Sequence, residues 1–334
     1  MNLYLCGVPG KVGGAATKIR HLIYLLRDSL NITVVLNDLC WTKNRQITGF
    51  LDRLGVGYCV YKDLPRVATG VALVICEPNF FAAGQVLQIK QRGMKVIFSN
   101  EMMFPFEGEE RAVKSKLIDK VLFVSAFQGA AFARLYVGIP SAITGNYVAA
   151  EDFEFKARRN ATFTIGRLSR PDPDKYPEDF PVFYEELALK DVRYRVMAWD
   201  DQLKRKYRWH RFGSEWDLLG PQKEDTETFL HSLDLFVYPL GHRVKESWGR
   251  STVEAMLTGC IPLVPVGHQF HNLIVHGESG FICASFFEYK EIVHELHDNY
   301  PLRQKLSRQC AEHARAKICN PDEHRKIWID ALSV

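Results

Sequence analysis

A chain of 334 residues is too long for one ordinary hydrophobic core and suits two domains of roughly 150–170 residues each. It is 47% hydrophobic and 25% charged with a net charge of +4, a balance that neither demands an acidic partner nor excludes a local basic patch. Its 8 cysteines are scattered and show no Cys-x-x-Cys spacing, which argues against a zinc site and a disulfide framework and for reduced, mostly buried thiols in a cytoplasmic setting.

Residues 1–6 lack a basic flank and run straight into a glycine-rich turn, so they read as a first strand and not as a signal peptide. No stretch approaches the ~20 apolar residues that a spanning helix needs. Further β-rich runs stand at 32–36, 71–76, 95–99 and 120–124. Between them, apolar residues recur at helical spacing, as in Ile19, Leu22, Ile23 and Leu26. This alternation calls for right-handed βαβ units and a parallel sheet covered on both faces. Residues 149–160 are charged and non-periodic, and read as a linker. The alternation restarts at 162–166, 194–198, 233–238 and 261–266. The expected fold class is therefore α/β, with two Rossmann-like doubly wound domains facing across a cleft. Residues 1–150 form the first, 160–315 the second, and 316–334 a tail. In the tail, Ile327, Ile329, Ala331 and Leu332 suggest a terminal helix able to pack back on the first domain. Ligands of such sheets sit outside the carboxyl ends of the strands.

In the first domain, Gly10, Gly13 and Gly14 follow the first strand and open a helix. They do not form the Gly-x-Gly-x-x-Gly fingerprint, yet Gly13 and Gly14 let a ligand approach the backbone; a plain tight turn is the alternative. Glu77 and Glu101 stand at the edge of the sheet, each equally readable as an ordinary strand-end residue. Residues 204–211 interleave basic and aromatic side chains. They fit a solvated connection, an anionic membrane surface or nucleic acid, in that order. No nucleic-acid partner is expected.

The most informative stretch is 246–265. Ser247 or Ser251 can cap a helix whose apolar face is Val253, Met256 and Leu257; Gly259 ends it and a buried strand follows. The helix start beside Gly249 offers backbone N–H groups and the positive end of a dipole to phosphate. Glu246 and Glu254 flank that start, and carboxylates grip paired hydroxyls.

Glu246 and Glu254, in a Glu-x7-Glu spacing followed by Ala255-Met256-x-x-Gly259-x-x-Pro262, resemble the signature of family 4 glycosyltransferases (glycosyl transferases group 1). The resemblance implies the GT-B fold. It also implies that Glu246 orients the donor sugar, that Glu254 holds the ribose, and that the amides of Trp248, Gly249 and Arg250 touch sugar or phosphate. Residues 162–168, ending in Gly166-Arg167-Leu168, resemble the strand whose Arg pairs with the donor diphosphate. Lys175 is the candidate to share that work, with Arg170 as a rival, because the spacing is longer than the family pattern. Gly220 falls where the family passes the base, and residues 267–281 resemble the loop over the nucleotide. Gly13 and Gly14 match the family's loop on the acceptor and phosphate side.

The implied activity is retaining, metal-independent transfer from a UDP- or GDP-sugar to an acceptor hydroxyl, with no cofactor and no bound metal despite His268, His271 and His276. Arg167, Lys175 and Glu246 are the catalytic candidates. A sugar-nucleotide epimerase and an inactive sugar-nucleotide-binding module are the alternatives. The expected location is cytoplasmic, with peripheral membrane contact left open.

Overall fold

Strands that are apolar on both faces drive this chain into covered parallel sheets. In the computed structural model, which describes residues 1–11, 13–158 and 161–333, Leu3 and Leu5 of β1 (Asn2–Cys6) face one way with Val34, Leu73 and Ile75. Cys6 turns the other way, with Val35, Val74 and Phe98. The period of two, repeated strand after strand, gives each face its own cluster of buried side chains.

The first sheet continues with β2 (Asn31–Leu36), β3 (Gly57–Val60), β4 (Val71–Ile75), β5 (Lys95–Ser99), β6 (Lys120–Phe123) and β7 (Ser141–Ile143), in the order β3-β2-β1-β4-β5-β6-β7. The second holds β8 (Phe163–Leu168), β9 (Val192–Met197), β10 (Trp216–Leu219), β11 (Leu235–Val237), β12 (Ile261–Pro265) and β13 (Phe281–Cys283), in the order β10-β9-β8-β11-β12-β13. Neighbouring strands in both sheets pair parallel. β3, β7 and β13, unread in the sequence, are edge strands of 4, 3 and 3 residues, too short to show a period. Strand order reverses between β1 and β4 in one sheet and between β8 and β11 in the other, and each reversal opens a crevice at the carboxyl ends.

The chain divides into two compact units, one of Met1–Ala149 with the chain from Pro321 onward, the other of Ala150–Asn320. The segment read as a linker is not loose. Phe153 and Arg158 are buried, and Arg158 donates to His231 O at 3.2 Å and Thr258 Oγ1 at 3.3 Å. Residues 150–158 thus belong to the second unit, while Arg159 and Asn160 lie outside the described residues. The second unit also runs past 315, because Arg315 donates to the carbonyls of Ala150, Phe153 and Leu257.

The helix Pro321–Leu332 buries Trp328, Ala331 and Leu332 in the same cluster as Leu22 and Ile23 of the helix Gly14–Leu26. Ile327, counted on its apolar face in the sequence, is 40% exposed; Trp328 takes the inward position, with Lys18 Nζ 5.0 Å from its ring centre. Among the described residues no helix is long and apolar enough to cross a membrane. Because Trp328 is fully enclosed, Trp328→Ala should cost about 3–5 kcal/mol, seen as an earlier urea unfolding transition.

Candidate active site

The carboxyl end of β8 lies at the reversal of the second sheet, and Arg167 sits there as an anchor. Its side chain is 0% exposed, sandwiched between the rings of Tyr176 (3.9 Å) and Tyr238 (4.4 Å). Nη1 donates to Pro239 O at 2.6 Å, and Nη2 donates to Ser169 Oγ and Lys175 O, both at 3.3 Å. One guanidinium therefore ties β8, the 173–175 turn and the segment after β11 together. Read in the sequence as a diphosphate ligand, Arg167 here holds two aromatic rings, two carbonyls and a hydroxyl, while its buried Nε has no hydrogen-bond partner among the described residues. Arg170, the rival, is exposed and close enough to Lys175 to oppose its charge.

Lys175 and Glu246 meet across 71 residues of sequence, Nζ to Oε2 at 2.9 Å, with side chains 14% and 13% exposed. Gly241 makes the meeting possible. A Cβ there would lie 2.2 Å from Asp174 O, so only glycine lets the loop after β11 dock on the 173–175 turn. The Gly241 N–H donates to Lys175 O at 3.4 Å. Local sequence does not show this packing role of Gly241, because its partner carbonyl is remote in the chain.

Two further groups, neither given this role beforehand, complete the surroundings of Glu246. Tyr238 donates its hydroxyl to Oε2 at 3.2 Å, and the Glu246 N–H donates to His268 Nδ1 at 3.2 Å. Burial pushes the Glu246 carboxyl up, but Lys175, Tyr238 and His268 together hold it below its ordinary value. Burial likewise opposes charge on Lys175, and the Glu246 carboxylate outweighs it, so the ammonium is held above its ordinary range. His268 is pushed down by burial and by Lys245, although Glu246 pulls the other way. A neutral ring suits it, since Nδ1 must keep a lone pair for the Glu246 amide.

The helix Arg250–Thr258 begins at Gly249, which has φ +95°; a Cβ there would come within 2.6 Å of the Phe270 ring. Neither serine is the N-cap. Gly249 takes that place with no side-chain hydrogen bond, and the first turn carries no acidic residue. The positive end of this nine-residue helix is thus not neutralised by a side chain of its own. Val253, Met256 and Leu257 are buried as read, and Gly259 ends the helix at φ +83°. Trp248 is buried. Glu254 is buried and pairs with Arg250 at 2.9 Å. Burial raises its carboxyl, and Arg250 offsets only part of that. The two glutamates therefore stand in separate ion pairs, each with its own cation.

Gly220 follows β10 with open space where a Cβ would be. In the first unit, Gly13 has φ +88° at the start of the helix Gly14–Leu26, and among the described residues no atom beyond the adjoining chain lies within 4 Å of a Cβ added at Gly13 or Gly14. Backbone geometry demands Gly13; among the described residues no packing demands Gly14. Glu101, at φ +65°, accepts from Lys18 Nζ and Ser99 Oγ, each at 2.5 Å, and Glu77 accepts from Asn37 Nδ2 at 2.9 Å. His271 and His276, like His268, turn a ring nitrogen to the backbone. Among the described residues, no three or more His, Cys, Asp or Glu side chains gather as metal ligands would.

Residues 155–317 match the family described as glycosyl transferases group 1, so the second unit carries a domain of that family. No curated protein sequence matches. The chain is similar to the crystal structure of Anabaena HepE in complex with UDP and glucose, with a TM-score of 0.74 and 14% identity over 100% of this chain and 99% of that one. It is similar to a glycosyltransferase from Rickettsia africae (TM-score 0.73, 12% identity, 98% of each chain). It is also similar to sucrose-phosphate synthase from Thermosynechococcus elongatus (TM-score 0.71, 10% identity, 98% of this chain and 97% of that one). These likenesses give the fold, which is GT-B with two Rossmann-like domains. The protein is a glycosyltransferase.

Gly241→Ala should separate Lys175 from Glu246 and slow donor turnover on the order of 100-fold, since shifts of about 1 Å at a reacting centre cost that much; steady-state kinetics checks it. The lowered His268 pKa means that its bond to the Glu246 amide is kept above the ordinary value of 6.5 and lost as pH falls through the lower folded value. Donor turnover should therefore show an acid limb. His268→Asn, which keeps an acceptor at the Nδ1 position without titrating, should flatten it in a pH–rate profile.

Proposed function

We propose that this glycosyltransferase is retaining and metal-independent, and takes its sugar from a nucleoside diphosphate donor, UDP- or GDP-linked, with no cofactor. The observation that carries the reading is the Lys175–Glu246 pair, held at the sheet reversal in the same unit as the uncapped helix start at Gly249. A buried ion pair is weak support for stability, because desolvation consumes most of its attraction. As a site it makes chemical sense. A diphosphate competes for the ammonium, and the carboxylate is then released to the hydroxyls of the transferred sugar.

On this reading Lys175, the exposed Arg170 and the N–H groups at Gly249 and Arg250 receive the diphosphate. Their positive charge stabilises the electron pair that leaves with the phosphate oxygen as the bond to the anomeric carbon breaks. An acceptor hydroxyl attacks from the same side, forms the new carbon–oxygen bond and passes its proton to the departing phosphate. Retention follows from that front-face route. Glu254 grips the ribose hydroxyls, Gly220 lets the base lie close, and Arg167 keeps the turn and the loop in register. Gly13 and Gly14 are assigned to the acceptor side. That HepE was crystallised with UDP-glucose makes UDP-sugars the first donors to try.

The test is a panel of UDP-, GDP- and ADP-sugars, read by thermal shift and by donor hydrolysis. Binding with slow hydrolysis is expected from one donor. An isomerised donor would move the reading to an epimerase, and binding without turnover to an inactive module. Glu246→Gln should lower hydrolysis on the order of 100-fold with little change in nucleotide affinity. Glu254→Ala should instead weaken the nucleotide itself by roughly 10-fold to 100-fold, measured by calorimetry.

A further inference from the structure

The basic and aromatic stretch 204–211 is not used by the donor chemistry, and its geometry separates its residues into two sets. The helix Asp201–Lys206 continues as a turn, with Tyr207 N–H donating to Leu203 O and His210 N–H to Tyr207 O, both at 3.0 Å. Leu203 (0% exposed) and Tyr207 (1%) point into the second unit. At about 100° per residue, Arg205, Arg208 and Trp209 fall on the opposite, outward side.

Trp209 is 54% exposed, the only tryptophan among the exposed large apolar side chains of the described residues. Two nearby cations are already occupied. Lys204 pairs with Asp201 at 2.9 Å, and Lys206 pairs with Glu178 at 2.9 Å while donating to Pro173 O and Tyr176 O. Arg205, Arg208 and Arg211 are exposed and have no ion pair or hydrogen bond among the described residues. Arg205 and Arg208 thus share the outward side with one exposed indole, and Arg211 follows two residues on; of the three, Arg205 also lies close enough to Asp201 to act on its carboxylate.

We propose that this face docks on the anionic headgroups of a lipid bilayer. Guanidinium groups take phosphate oxygens in bidentate fashion, and an indole settles at the depth of the headgroups, with its ring in the acyl boundary and its N–H toward water. Nucleic acid would use successive rings as stacking platforms. Here only one ring is offered, since Tyr207 is buried and Phe212 is packed against Trp199 and Trp216. Lys206, through Pro173 and Tyr176, joins this face to the turn that carries Lys175. The proposal stands whether or not the donor chemistry is as described above.

The test is co-sedimentation of the full chain with vesicles of phosphatidylcholine alone or with about 30% phosphatidylglycerol, at low and high salt. Sedimentation with the anionic vesicles only, reduced by salt, is expected. Each basic residue near such a surface contributes a similar increment, so Arg205→Gln, Arg208→Gln and Arg211→Gln together should weaken partitioning roughly 100-fold. Trp209→Ala should weaken it further and remove the blue shift of emission on binding. These residues are exposed, so an unchanged melting temperature shows that the variants are folded. Three results would overturn the proposal: no binding to anionic vesicles at low salt, undiminished binding by the triple variant, or binding of single-stranded DNA without binding of vesicles.

Discussion

A guanidinium with no exposed surface holds this site together. Arg167 spends its N–H groups on the carbonyls of Pro239 and Lys175 and on the Ser169 hydroxyl, and its faces on two tyrosine rings. A buried charge is costly unless it is hydrogen-bonded, so the three segments that accept from Nη1 and Nη2 are held in one arrangement, although Nε finds no partner among the described residues. Lys175 and Glu246 depend on that arrangement, since neither the turn nor the loop that carries them belongs to regular structure long enough to hold itself.

Around that anchor the charges are balanced in pairs. Glu246 is surrounded by Lys175, Tyr238 and the His268 contact to its amide, whereas burial and Asp152 push Glu254 toward its neutral form against the pull of Arg250. A ligand bearing both phosphates and hydroxyls can replace each internal partner with one of its own. The balance explains how so much charge is tolerated in a largely desolvated place. The same economy of contacts holds in the first unit, where Lys18 is buried against Glu101 and the Trp328 ring.

Several features were legible in the chain before folding was considered. Runs apolar on both faces, separated by helical spacing, required two parallel sheets, and the helix Arg250–Thr258 with Gly259 behind it could be read from capping and period alone. The short edge strands β3, β7 and β13 could not, because three or four residues carry no period. Gly249 as the N-cap was hidden by two neighbouring serines with better capping propensity. What overruled them is the Phe270 ring lying where any Cβ at Gly249 would go.

Composition and local pattern therefore determined the class of fold, the two sheets, the acidic pair and the helix between its glycines, since all of these depend on neighbours within one or two turns of chain. Tertiary structure alone decided which cation meets Glu246, whereas Arg250 and Glu254 pair one turn apart on a single helix. Arg167 and Lys175 looked alike in sequence, as basic residues near the end of one strand. Their fates diverge because one side chain points between two rings and the other toward a loop 71 residues away. Such a choice rests on long-range packing and desolvation, which no local spacing encodes.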